Sequence, residues 1–356
     1  MQNSNITDKV ILQIKGLKTY FHTDEGIVKA VDGVSYDLHA GEILGVVGES
    51  GSGKSVSSMS IMNLIPNPPG KIEAGEILFH EKNILDMNQK ELEAVRGNKI
   101  SMIFQDPMTS LNPFLRISKQ MIETIQLHQG LNKKDARAKA IDMLRLAGIP
   151  APEERIDSYP HQFSGGMRQR VMIAMGLSCN PEILIADEPT SALDVTIQAQ
   201  ILELMQDLSR RLGTSIILIT HSLGVVAGMC DNLNVMYAGR IVERGKTEDI
   251  FANPKHPYTT GLIKSVPRLD KETKGSLYSI PGQPPNVIDL PSCCPFFPRC
   301  EHATSVCKKM YPPLIHFENN HSVSCWLYAK QTDIDAANKL ESVAEYADSI
   351  ADKGTK

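Results

Sequence analysis

Ile43-Leu44-Gly45-Val46-Val47-Gly48-Glu49-Ser50-Gly51-Ser52-Gly53-Lys54-Ser55 is an apolar, strand-like run that passes directly into a glycine-rich turn. A helical pattern follows over 54–64 and is ended by Pro66, Pro68 and Pro69. Strand, loop and helix in this order, with the spacing Gly-x4-Gly-Lys-Ser, form a phosphate loop. Its glycines let backbone N–H groups face phosphate oxygens, and the helix that follows presents its positive end. Gly48, Glu49, Ser50, Gly51, Ser52, Gly53, Lys54 and Ser55 are therefore candidate nucleotide-binding residues. Lys54 is expected on the β and γ phosphates, and Ser55 on a magnesium ion.

Working outward, buried-strand patterns return at 183–186 and 216–219, separated by a helical stretch at 197–212. This alternation predicts a parallel α/β sheet. The first of these strands ends in Asp187-Glu188. At a strand tip beside a phosphate loop, Asp187 is expected to bind magnesium through water, and Glu188 to act as general base on the attacking water. Residues 10–38 read as a β-rich edge. Residues 107–175 read as an inserted helical lobe, with good helix formers over 133–146, a break at 148–152 and a new helix after Gly166. Beyond Asn253 prolines multiply and periodicity fades. The expected organisation is an ATPase domain over 1–254, a Pro/Cys-rich segment over 255–330 and a polar tail over 331–356.

With 42% hydrophobic and 22% charged residues, the 356-residue chain has the composition of a soluble globular protein. No window approaches the roughly 20 consecutive apolar residues of a membrane span, and the polar start lacks the features of a signal peptide. A soluble, cytoplasmic chain is expected, reaching any membrane by docking onto another protein. The formal net charge of −4, with signs interspersed, offers no basic footprint for nucleic acid.

Phosphate loops serve many enzymes, and Phe163-Ser164-Gly165-Gly166-Met167-Arg168-Gln169-Arg170 discriminates among them. Ser164, Gly165 and Gly166 stand where a helix begins, a second anion-binding end in a chain that already has one. Here the chain resembles the ABC ATPase family, whose Leu-Ser-Gly-Gly-Gln signature precedes the acidic strand. The resemblance spans about residues 10–250 and implies an α/β P-loop ABC ATPase with a RecA-like core, an antiparallel β edge and a helical subdomain. It also implies a head-to-tail dimer holding two ATP molecules between the phosphate loop of one subunit and the signature of the other. Gln105 resembles the Q-loop glutamine that senses magnesium, and Ser191-Ala192-Leu193-Asp194 the D-loop. His221 resembles the switch histidine at the γ phosphate, and Tyr20 the aromatic that stacks on adenine, a place that Phe21 could also fill. Met167 and Phe163 depart from the signature, which touches only the contact near the ribose.

Within that family, 161–170, 105–113 and 253–259 resemble the oligopeptide/dipeptide importer branch. The resemblance implies a second, related ATP-binding subunit, two integral membrane permease subunits and an extracytoplasmic substrate-binding protein. It places the chain peripherally at the cytoplasmic face of the cell membrane. The competing readings are a soluble ABC ATPase of DNA repair or translation, disfavoured by the single ATPase unit and the negative charge, and a P-loop kinase. The kinase leaves Ser164 to Gly166 and His221 unexplained.

Five of seven cysteines crowd late in the chain, and Cys294-x5-Cys300-x6-Cys307-x17-Cys325 offers four thiolates in a segment with little core of its own. A reducing compartment disfavours disulfides. A [4Fe-4S] cluster, which some members of the importer branch carry in a similar segment, is the favoured reading. Zinc with His302 or His321 as substitute ligands, and free thiols, stay open. Cys293 stands where glycine is expected.

Overall fold

The computed structural model describes residues 7–105, 110–191, 193–266, 278–288, 290, 292–335 and 337. The expectations placed on 106–109, Ala192 and most of the polar tail fall outside these residues.

Among the described residues two sheets form the frame. The larger has eight strands: β6 (Ile100–Ile103), β7 (Ile183–Asp187), β8 (Ser215–Thr220), β3 (Ile43–Val47), β9 (Asn232–Tyr237), β10 (Arg240–Lys246), β12 (Ser322–Ser324) and β11 (Leu314–His316), in that spatial order. From β6 to β9 all neighbours are parallel; β10, β12 and β11 continue the sheet antiparallel. The smaller sheet is antiparallel, in the order β2 (Gly26–His39), β1 (Val10–Thr23), β4 (Gly70–Phe79) and β5 (Lys82–Asn83).

The apolar runs of the parallel strands are continuous because both faces are covered. Alternate residues divide between two cores. Leu44, Val46, Ile183, Ile185, Ile217 and Ile219 pack toward the small sheet with Leu12, Ile14 and Val34. Their neighbours Ile43, Val47, Leu184, Ala186, Ile216 and Leu218 pack toward the helical side with Ile173, Ile201 and Val226. The expected helical lobe consists of Ile117–Gln129, Lys133–Leu146, Pro152–Arg155 and Gly165–Leu177, and its Met121, Ala140, Leu144 and Val171 share that second core. Fold class and elements agree with the sequence reading: a P-loop ABC ATPase core, an antiparallel edge and a helical subdomain. No described helix is long and apolar enough to cross a membrane.

The helix after the phosphate loop runs Lys54–Ile61, shorter than the sequence pattern. Asn63 adopts a left-handed conformation (φ 48°), ending the helix before the prolines are reached.

Candidate active site

Four loops leave the carboxyl ends of the adjacent parallel strands β3, β8, β7 and β6, and they carry the phosphate loop, His221, Asp187-Glu188 and Gln105 respectively. Ligand sites of open α/β sheets lie at this edge.

The phosphate loop depends on two glycines for space. A Cβ at Gly48 would stand 2.2 Å from the Met236 carbonyl oxygen, and one at Gly53 would stand 2.1 Å from that of Ala30. Gly53 also has φ +97°, which side chains rarely adopt. Lys54 folds back into the loop, donating to the carbonyl oxygens of Gly48 (2.8 Å) and Glu49 (2.9 Å). Burial depresses its pKa, opposed by the charges of Glu188, Asp187 and Glu49.

The Ser55 hydroxyl donates to Asp187 Oδ1 at 3.0 Å. Burial raises the Asp187 pKa, and Glu188 adds to the rise. A hydroxyl in contact with a buried carboxylate offers oxygen donors suited to a hard divalent cation, so Ser55 and Asp187 fit magnesium. Next in the chain, Glu188 is held with φ 45°, a strained conformation for a non-glycine residue, while its N–H donates to the Ile219 carbonyl. Its carboxylate receives Gln105 Nε2 at 3.1 Å on one oxygen and lies 3.2 Å from His221 Nδ1 on the other. Three positions separated by 83 and 33 residues in sequence thus meet at one carboxylate.

Ser164 caps the helix Gly165–Leu177, its hydroxyl accepting from the Met167 N–H. Ser164 and Gly165 are exposed. A Cβ at Gly166 would come within 2.9 Å of Ile197, in the helix Val195–Leu212 that Asp194 caps through the Ile197 N–H (3.0 Å). Signature and D-loop are therefore packed together, with the capping serine turned outward.

Tyr20 lies on β1, and its hydroxyl donates to Asp32 at 2.7 Å. Burial and Asp32 push its pKa up to about 12. Asp32 also receives Arg240 at 2.5 Å, joining the small sheet to β10. Sequence reading missed this link, and it missed a second one at Glu49. The Glu49 N–H donates to the Tyr258 hydroxyl (2.8 Å), and its carboxylate accepts both terminal nitrogens of Arg299 (2.6 and 3.0 Å). No local pattern marks pairs separated by 209 and 250 positions.

In the cysteine segment the thiols of Cys294, Cys300, Cys307 and Cys325 lie within one another's electrostatic reach. Burial raises Cys294 to about 12 and Cys325 to about 11, and also raises Cys300, and neighbouring thiols add to each rise. For Cys293 burial alone raises the pKa, with no contribution from another thiol. Among the described residues no three His, Cys, Asp or Glu side chains converge closely enough to hold a metal ion. Single-ion geometry of the zinc type, with all ligands about 2.3 Å from one centre, is therefore not formed. The expectation of a metal cluster on Cys294, Cys300, Cys307 and Cys325 gains no support from this arrangement.

Residues 31–191 match the family model described as ABC transporter, and 242–307 match that of the oligopeptide/dipeptide transporter C-terminal region. The oligopeptide transport ATP-binding protein OppD of Bacillus subtilis (strain 168) is 51% identical over 89% of this chain and 88% of its own. The dipeptide transport ATP-binding protein DppD of the same organism is 51% identical over 91% and 96%. OppD of Escherichia coli (strain K12) is 49% identical over 89% and 93%. Among solved structures, the dimeric post-hydrolysis state of the ATP-binding cassette MJ0796 bound to ADP and Pi is 28% identical, with a TM-score of 0.59, covering 66% of this chain and 98% of that one. With the fold, both family regions and relatives about half identical over most of their length in agreement, the chain belongs to the ABC transporter family, in its oligopeptide/dipeptide transporter branch.

Proposed function

We propose that this chain is the ATP-hydrolysing subunit of an importer of dipeptides or oligopeptides, driving separate membrane subunits through ATP binding and hydrolysis in a head-to-tail dimer. The observation that carries the reading is the convergence of Gln105 and His221 on the Glu188 carboxylate, beside the Ser55–Asp187 pair. Glu188 takes the proton of the attacking water; His221 and Gln105 orient its carboxylate, and His221 meets the γ phosphate. Lys54 leaves the loop carbonyls for the phosphates, and Tyr20 or Phe21 stacks on adenine. Ser55, Asp187 and Gln105 would hold magnesium, which supplies neutralisation of phosphate charge.

The exposed Ser164–Gly165 terminus and Val195, 81% exposed beside Asp194, suit burial against the phosphate loop of a second ATP-binding subunit. Phe104, Phe114 (86% exposed), Leu115 and Leu127 put large apolar side chains on the outside of the Gln105 region and helical lobe, a surface suited to membrane permease subunits at the cytoplasmic face. An extracytoplasmic binding protein would supply the cargo. In the segment after 254, the spacing Cys294-x5-Cys300-x6-Cys307-x17-Cys325 supports a [4Fe-4S] cluster as a structural staple, with zinc or reduced free thiols the alternatives.

The test is the purified transporter carrying Glu188→Gln. ATP turnover should fall by at least about a hundredfold while ATP binding persists, and uptake of labelled oligopeptides should stop. Undiminished turnover would overturn the role of Glu188. For the cluster, an anaerobic preparation should be brown, with iron and acid-labile sulfide in equal amounts; a colourless, zinc-bearing one refutes it.

A further inference from the structure

We infer that Arg299 and Tyr258, both later in the chain than β10, are positioning residues of the phosphate loop: together they hold Glu49 turned away from the triphosphate. This rests on the ATPase reading above and deepens it. Glu49 is the second residue of the loop, and a carboxylate there has the wrong charge for a phosphate cradle. It is one of three negative charges that act on Lys54. Left unpaired, it would compete with phosphate for that lysine and repel the nucleotide across a short, poorly screened distance.

The structure removes this conflict with three hydrogen bonds. Arg299 takes the carboxylate with both terminal nitrogens, the bidentate geometry that makes such pairs strong. Its side chain is 4% exposed. It is fixed from the other side, with Nε donating to the Pro281 carbonyl (2.9 Å) and the guanidinium lying over the rings of Tyr237 (5.9 Å) and Phe296 (5.8 Å). The Tyr258 hydroxyl accepts the Glu49 N–H, so this amide too is turned out of the cradle. Tyr258 packs 4.6 Å from Tyr237, the last residue of β9, and 5.4 Å from Phe296. The loop is thereby preset by groups that never touch the nucleotide, which lowers the reorganisation needed when ATP enters.

A plain staple of the C-terminal segment onto the core would show the same bonds, and the two roles separate in ATP affinity. In the full-length chain within its transporter, Arg299→Ala is expected to raise the KM for ATP about tenfold, with kcat changed much less, the size of a lost charged hydrogen bond. Adding Glu49→Gln to Arg299→Ala removes the stray carboxylate, and the KM should return most of the way even though thermal stability does not. Arg299→Lys should fall between wild type and Arg299→Ala. Tyr258→Phe keeps the ring and removes only the hydroxyl, so it tests the loop even where Arg299→Ala fails to fold; its KM should rise severalfold. An unchanged KM in Tyr258→Phe or Arg299→Ala, or a double variant no better than Arg299→Ala, overturns the inference. If the wild-type chain itself failed to turn over ATP, the ATPase reading would fall first.

Discussion

His256 is buried at the start of the helix Pro257–Ser265, where its Nδ1 accepts the Tyr258 N–H at 3.1 Å. The ring is therefore neutral, with its proton on Nε2, and burial lowers its pKa to about 4 against the nearby Glu243 charge. Between that value and the ordinary 6.5, the unfolded chain binds a proton that the folded chain refuses, so stability is lost as pH falls through this window. The linkage amounts to about 3 kcal/mol at its limit. Thermal melts should show the melting temperature falling from pH 6.5 toward 4. His256→Asn keeps an acceptor for the helix start without a titrating ring, and should flatten that slope; an unchanged slope would place the titration elsewhere. At this scale the placement of candidate residues is legible wherever a motif is written in consecutive residues. Lys54-Ser55, Asp187-Glu188 and Ser164-Gly165-Gly166 could be read because a loop or strand tip fixes their direction. Partners such as Asp32 of Tyr20, or Tyr258 and Arg299 of Glu49, could not, because only the tertiary fold brings them together.

Among the elements, the loop between β3 and the helix Lys54–Ile61 is closely enclosed by neighbouring backbone. Gly53→Ala would force a Cβ against the Ala30 carbonyl and strain a residue at φ +97°. Since the obstacle is backbone on a neighbouring strand, no rotamer change relieves it. A destabilisation of about 2 kcal/mol or more is expected in denaturant titrations, together with loss of ATP binding. Asp194 offers a milder contrast. It caps the exposed start of Val195–Leu212, and Asp194→Ala should cost only about 1 kcal/mol in the isolated chain. A much larger drop in transporter turnover than in stability would then mark its role at the dimer face. Helices and buried strands were legible here because periodicity and continuous apolar runs report their surroundings directly. Ends were less so: Asn63, not the proline cluster, stops the first helix, since a single left-handed residue suffices.

For the molecule as a whole, the cysteine-bearing segment extends the main sheet. β12 pairs with β10, and β11 with β12, although each of these added strands has only three residues and no readable alternation. The join is reinforced by Glu243, fully buried on β10, which accepts the N–H groups of Lys255 and His256 and meets His321 Nε2 at 2.7 Å. Composition showed that something changes after Asn253. It could not show the shared sheet, because strand pairing over some 80 positions leaves no local trace. The consequence is cooperative unfolding. Trp326, the one tryptophan of the chain, packs in the late segment against Val306 and donates to the Met310 carbonyl, so its fluorescence reports that segment, whereas far-UV circular dichroism is dominated by the core helices and strands. The two signals should change together on heating, as for a single two-state unit. His321→Ala removes one hydrogen-bond partner of the buried Glu243, which keeps the Lys255 and His256 N–H groups, a loss of about 1–3 kcal/mol. It should lower both transitions in step, because the residue sits where the two parts share one sheet. Fluorescence changing well before circular dichroism, in wild type or in this variant, would mean that the late segment detaches while the core stands.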